Sequence, residues 1–120
     1  PLVPLPGGGH MAIEPTRALV AVDVNTGADT SPAASLKANI AAARDLPRQV
    51  RLRGLGGQVT VDFAPMPKRD RAVLDQQLRL AFKGEAAETS LAGWTPLGNF
   101  ELQRKRDRLP LSLILKEARG

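Results

Sequence analysis

Two short apolar runs, Ala18-Leu19-Val20-Ala21-Val22-Asp23 and Gln58-Val59-Thr60-Val61-Asp62, each end on an aspartate. Apolar, β-branched stretches of this length read as buried strands. The segment between them holds a loop and a helix, in which Leu36, Ile40 and Ala43 recur at helical spacing. The order strand, helix, strand permits a parallel crossover. Parallel strands put their carboxyl ends on one edge of the sheet, where open α/β sheets place ligands. This topology would bring Asp23 and Asp62 together.

The remaining chain supplies further elements. Residues 1–10 are rich in Pro and Gly and are expected to run as an extended lead-in, with Gly7-Gly8-Gly9 a flexible stretch. A short strand is expected at Met11–Glu14, with a turn at Pro15-Thr16. The first helix is expected to begin near Ser35 and reach Val50. Pro47 lies inside it, removing a hydrogen bond and crowding the preceding turn, so a kink or two shorter helices are expected there. Gly54–Gly57 ends that helix. A second helix at 68–83 carries Val73, Leu74, Leu78, Ala81 and Phe82 on one face, and Gly84 can cap it. Residues 89–94 and 97–102 read as short strands around Thr95-Pro96, and 109–117 as a short docking helix. There is no internal repeat. The fold class expected is α/β: a single domain with a mixed β-sheet and two main helices packed on it.

Composition narrows the function. Lys and Arg total 17 against 12 Asp and Glu, a net charge of +5, which favours a polyanionic partner. Two basic clusters, Arg44, Arg48, Arg51 and Arg53, then Arg104, Lys105, Arg106 and Arg108, suit nonspecific phosphate contacts, although a charge run is commonly a solvated face. With aromatics at 3%, stacking platforms are scarce, so Trp94 and the three Phe residues read as core or half-buried. The absence of cysteine excludes disulfides and thiolate metal sites and suits a reducing cytoplasm. No apolar stretch is long enough to span a bilayer, so no membrane partner is expected. The start lacks both a signal-peptide pattern and an initiator Met, as in a fragment of a longer chain. A single histidine, His10, reads as a loop residue rather than a catalytic base. No Gly-x-Ser-x-Gly elbow or Walker-type loop is present, which sets aside esterase, protease and P-loop kinase chemistry.

Two converging aspartates form a hard-oxygen site suited to Mg²⁺, which takes one or two carboxylates plus substrate phosphate. Such an ion neutralises nonbridging phosphate oxygens and activates water, the two needs of phosphodiester hydrolysis. Asn25, two positions after Asp23, can add a neutral oxygen or orient the water. The alternative is that each aspartate only caps a loop or pairs with an arginine.

The sequence resembles the catalytic subdomain of the ribonuclease E/G family, the part often called deoxyribonuclease-I-like. The resemblance runs from Leu5 to about Leu113. It is carried by Leu5-Pro6-Gly7-Gly8-Gly9, Ile13-Glu14-Pro15-Thr16-Arg17 running on to Asp23-Val24-Asn25-Thr26-Gly27, Ala38-Asn39-Ile40-Ala41-Ala42-Ala43, Arg48-Gln49-Val50-Arg51-Leu52-Arg53, Gly56-Gly57, Val61-Asp62-Phe63 and Glu101-Leu102-Gln103-Arg104-Lys105-Arg106, in family order. The resemblance implies that residues 11–120 are such a subdomain within a longer chain. It implies a Mg²⁺-dependent endonuclease of single-stranded RNA, leaving 5′-phosphate and 3′-hydroxyl ends. The family's metal-binding aspartates fall on Asp23 and Asp62, and its companion asparagine on Asn25. The phosphate contacts expected are Arg104, Arg106 and Lys105, with Arg51 and Arg53 either contacting RNA or packing near the strand entrance. Partners implied are single-stranded RNA, other domains of the parent chain and possible further copies of the chain. Departures are Pro65 in place of an aspartate, Ala86-Ala87-Glu88 in place of a basic Arg-Ala-Arg element, Arg17 in place of an acid, and no cysteine pair, so no zinc site is expected. The alternative from another class is a noncatalytic RNA-binding or assembly module retaining the fold.

Overall fold

Val20, Val22 and Val24 are buried, whereas Ala21 and Asp23 between them are exposed. That alternation makes the first aspartate-tipped run a strand buried on one face only. The computed structural model, which describes residues 2–85 and 87–105, builds a two-layer α/β domain around this asymmetry. In chain order the elements are β1 (Leu2–Pro4), β2 (His10–Pro15), β3 (Val20–Asn25), α1 (Pro32–Leu52), β4 (Gly57–Asp62), a 3₁₀ turn at Lys68–Asp70, α2 (Arg71–Lys83), β5 (Thr89–Trp94) and β6 (Phe100–Arg104). The six strands form one mixed sheet in the order β1-β2-β3-β4-β6-β5. Only β3 and β4 are parallel neighbours.

The core lies between one face of this sheet and the two helices. Met11 and Ile13 from β2, the three valines of β3, Val59 and Val61 from β4, and Phe100 and Leu102 from β6 supply the sheet side. Ala38, Ala42, Leu46 and Val50 of α1 and Leu74, Leu78 and Phe82 of α2 supply the helix side. The small residues of α1 let it lie close against α2 and β3. Among the described residues no helix is long and apolar enough to cross a membrane.

Three local outcomes differ from the sequence reading. The first helix begins earlier, at Pro32: Ser31 caps it by accepting a hydrogen bond from the Ala34 N–H, and Pro32 occupies the first turn, where its missing N–H costs nothing. It also continues through Pro47 as one element. Pro47 sits on the buried face with Ala43, Leu46 and Val50, and tertiary packing outweighs the lost backbone bond. The lead-in is extended but not loose. Leu2–Pro4 pairs antiparallel with β2, and Val3 and Leu5 reach the core. Gly9 is buried, and a Cβ there would lie 2.4 Å from the Asn25 carbonyl oxygen. Gly9 therefore lets this loop press against the backbone that follows Asp23. The segment expected as a docking helix at 109–117 lies outside the described residues.

One buried polar contact fixes the exit from β4. Asn39 of α1 is fully buried; its side-chain oxygen accepts from the Ala64 N–H at 2.8 Å, and its amide donates to the Ala64 carbonyl at 2.9 Å. The loop immediately after Asp62 is thus clamped to the helix. Replacing Asn39 by the similarly sized leucine removes both bonds and leaves two buried backbone groups without partners. Asn39→Leu is expected to lower unfolding free energy by about 2–4 kcal/mol, measured by urea denaturation. A loss under about 0.5 kcal/mol would show that the clamp carries no weight.

Candidate metal and nucleic-acid site

Asp23 and Asp62 are register partners in the parallel β3–β4 pair. Cα atoms of neighbouring strands lie about 4.8 Å apart, and partners at the same register project to the same face. Both side chains point to the face without helices, because the alternate positions Val22, Val24 and Val61 face the core. The two carboxylates thus stand side by side at the carboxyl edge of the sheet, in solvent contact.

Folding raises the pKa of Asp62, first through partial burial and second through repulsion from Asp23. Two unit charges this close repel by about 1 kcal/mol in bulk water and by a few kcal/mol at the effective dielectric of a protein surface. Among the described residues neither carboxylate has an ion-pair partner. An uncompensated pair of hard oxygen donors is what a divalent cation neutralises, so the residues present fit Mg²⁺. No three His, Cys, Asp or Glu side chains converge into a metal-holding group among the described residues. The other coordination positions around such an ion would therefore go to neutral oxygens, from water, substrate or an amide such as that of Asn25.

Asn25 and His10 complete the cluster. Asn25 donates to Asp23 Oδ2 at 3.3 Å, and its side-chain nitrogen lies 3.3 Å from His10 Nε2. His10 opens β2 directly opposite Asn25. The sequence reading placed this histidine on a loop and missed it. The signal was the strand beginning at His10 rather than Met11, and strand pairing is what turns that start into proximity. From the aspartates a groove of about 410 Å³ follows the open face, lined by Ala12, Glu14, Leu19, Ala21, Thr60 and Asn99 together with the two carboxylates.

The basic residues separate from this site. β6 runs antiparallel to β4, and Arg104 pairs with Gly57, five residues back from Asp62, about 16 Å along the strand. Its side chain is only 2% exposed and donates to the Leu55 carbonyl at 2.6 Å. Arg104 is therefore a buried brace of the α1–β4 loop, not a group that reaches a phosphate at the aspartates. Arg51 and Arg53 also lie at the amino edge, where α1 ends; Arg51 pairs with Glu85, and Arg53 bonds Gln49. Both are exposed there, at the opposite edge of the sheet from the aspartates. Lys105 is exposed at the same far edge, and Arg106 lies outside the described residues. Trp94 packs between Phe63 and Phe100, and Arg71 stacks over its ring, which fits the half-buried role expected of the aromatics. Exposed Lys68 and Arg69, which the sequence reading passed over, follow the loop that leaves Asp62.

Residues 1–107 match the Ribonuclease E/G family. The chain belongs to that family. It is 40% identical to a protein named Ribonuclease E from Nostoc sp. over 111 residues, which cover 88% of this chain and 16% of that relative. It is 38% identical to Ribonuclease G of Salmonella typhimurium, covering 94% of this chain and 24% of the relative. It is 33% identical to the chloroplastic Ribonuclease E/G-like protein of Arabidopsis thaliana, covering 96% of this chain and 12% of the relative. The chain thus spans less than a quarter of the length of these curated relatives.

Two outcomes follow from the charge layout. A carboxyl group whose pKa is raised by folding stabilises the fold while protonated. For Asp62 that contribution is full below the ordinary value of 3.8 and is lost as pH rises through the folded value. At neutral pH the ionised pair is a net cost, so Asp62→Asn is expected to raise the melting temperature at pH 7 in chelator. The gain should stay under about 1 kcal/mol, because solvent screens the pair. It should vanish near pH 3; an equal gain at both pH values would contradict the raised pKa. Arg104→Met is expected to cost about 1.5–3 kcal/mol of stability while leaving the affinity of the folded protein for a labelled RNA strand unchanged. A selective loss of RNA affinity would return Arg104 to the interface.

Proposed function

We propose that this chain is the Mg²⁺-binding, phosphodiester-cleaving part of an endoribonuclease that acts on single-stranded RNA in the cytoplasm, working with other domains of a longer chain. The observation that carries the reading is the side-by-side placement of Asp23 and Asp62 on the open face of the sheet. The names of the relatives, Ribonuclease E and Ribonuclease G, point to RNA as the substrate.

In this reading Asp23 and Asp62 hold Mg²⁺, and the bound ion supplies charge neutralisation and an activated water. The chain's own residues do the rest. The parallel register holds the two carboxylates at a fixed spacing before any ligand arrives. The Asn39 clamp keeps the chain after Asp62 from swinging away. Asn25 offers a neutral oxygen toward an attacking water or a phosphate. The groove beside the carboxylates is lined by Ala12 and Ala21 together with Thr60 and Asn99. Lys68 and Arg69 would supply positive charge beyond Asp62, and exposed Lys105 would contact RNA farther along its length. The proposed products carry 5′-phosphate and 3′-hydroxyl ends, as follows when the attacking water adds to phosphorus and the 3′ oxygen leaves.

The test is cleavage of an end-labelled single-stranded RNA by the 120-residue chain, alone and joined to its parent protein. Cleavage should require Mg²⁺, stop in chelator and fall about 10²–10³-fold in Asp23→Asn and in Asp62→Asn, with 5′-phosphate ends on the products. Cleavage that survives chelation, or that Asp62→Asn leaves intact, overturns the reading. RNA binding with no cleavage at any Mg²⁺ concentration assigns the chain to the noncatalytic module instead.

A further inference from the structure

Asn25 is an amide with two ends of opposite chemistry, and its neighbours decide which end faces a ligand. A carboxylate only accepts hydrogen bonds. The Asn25 atom 3.3 Å from Asp23 Oδ2 is therefore the NH₂ nitrogen, not the oxygen. That same nitrogen lies 3.3 Å from His10 Nε2. Because the NH₂ group only donates, His10 must present a lone pair at Nε2, as the neutral ring with its proton on Nδ1 does. Both N–H bonds of the amide are then committed, one to Asp23 and one to His10. The Oδ1 oxygen is the amide atom left over for a ligand.

From this arrangement we infer that His10 is a positioning residue: it locks the Asn25 amide so that its oxygen, rather than its NH₂ group, is presented beside Asp23 and Asp62. A cation or an activated water needs an acceptor oxygen there, whereas an NH₂ group would repel the one and misorient the other. Asp23 alone cannot hold the lock. It engages one of the two N–H bonds, and once it turns toward a cation the amide would be free to rotate by 180° about its last torsion. A second acceptor on the opposite strand removes that freedom. Strand pairing makes the device dependable, since His10 and Asn25 are register partners and both are half-buried. The consequence for Mg²⁺ rests on the proposed function; the orientation of the amide does not.

The test follows the Asn25 side-chain NH₂ resonances of the ¹⁵N-labelled chain, assigned by their loss in Asn25→Ala. In chelator, His10→Leu and His10→Phe, which lack an acceptor, are expected to speed solvent exchange of these protons by about five- to tenfold. Two acceptor-free substitutions guard against a packing defect in one. His10→Gln, whose side-chain oxygen can accept from Asn25, is expected to restore slow exchange. On titration with Mg²⁺, the midpoint followed at the Asp62 backbone amide should rise about tenfold in both acceptor-free variants and by less than about threefold in the glutamine variant. Unchanged exchange in both acceptor-free variants, or a glutamine variant as fast as they are, overturns the inference. An exchange difference in a chain that shows no Mg²⁺ response upholds the orientation and sinks the metal reading. A normal Mg²⁺ response with unchanged exchange does the reverse.

Discussion

Four register pairs between β3 and β4, from Val20 opposite Val59 to Asp23 opposite Asp62, set the position of everything functional in this protein. The pairing is held by backbone hydrogen bonds and by valines that alternate toward the helices. A slip of one residue would turn the valines of one strand to solvent and drive its aspartate into the core. Burial of a charged carboxylate without a partner is far more costly than any single lost valine contact. The hydrophobic pattern that stabilises the sheet therefore also enforces the spacing of the carboxylates, and the site needs no separate scaffold.

Around that pair the protein divides its polar groups by depth. Asn39, fully buried, satisfies both backbone groups of Ala64 and locks the exit from β4. Arg104, also buried, braces the turn that enters β4 through the Leu55 carbonyl. Both ends of the strand that carries Asp62 are thus tied by side chains from elsewhere in the chain. The face bearing Asp23, Asp62, Asn25 and His10 is left open, and partial burial of Asp62, with the charge of Asp23 beside it, raises the Asp62 pKa there.

Much of this was legible in the sequence because it depends on local periodicity. The Val-x-Val alternation in each strand, the helical spacing of Leu36, Ile40 and Ala43, and the Gly-rich break at 54–57 all act through neighbours in the chain. The prediction of a mixed sheet with two helices follows from them, as does the convergence of Asp23 and Asp62 once a parallel crossover is assumed. The missed features share the opposite property. Pro47 looked like a helix break because its cost is local, whereas the packing that overrides it comes from α2 and the sheet. Arg104 looked like a phosphate contact because its neighbours in sequence are basic, yet strand alternation points it inward while Lys105 points out. Gly7–Gly9 looked loose because nothing nearby in sequence explains why Gly9 must lack a side chain; the Asn25 carbonyl does.

Sequence by itself determined which residues can form strands and helices and which carboxylates end the strands, because those properties follow from side-chain shape, polarity and spacing along one chain. Tertiary structure alone decided that both aspartates share the uncovered face, that His10 meets Asn25, and that Arg51, Arg53 and Arg104 lie away from the site. Those outcomes depend on strand order and register, which arise only when distant segments compete for the same hydrogen bonds and the same buried face.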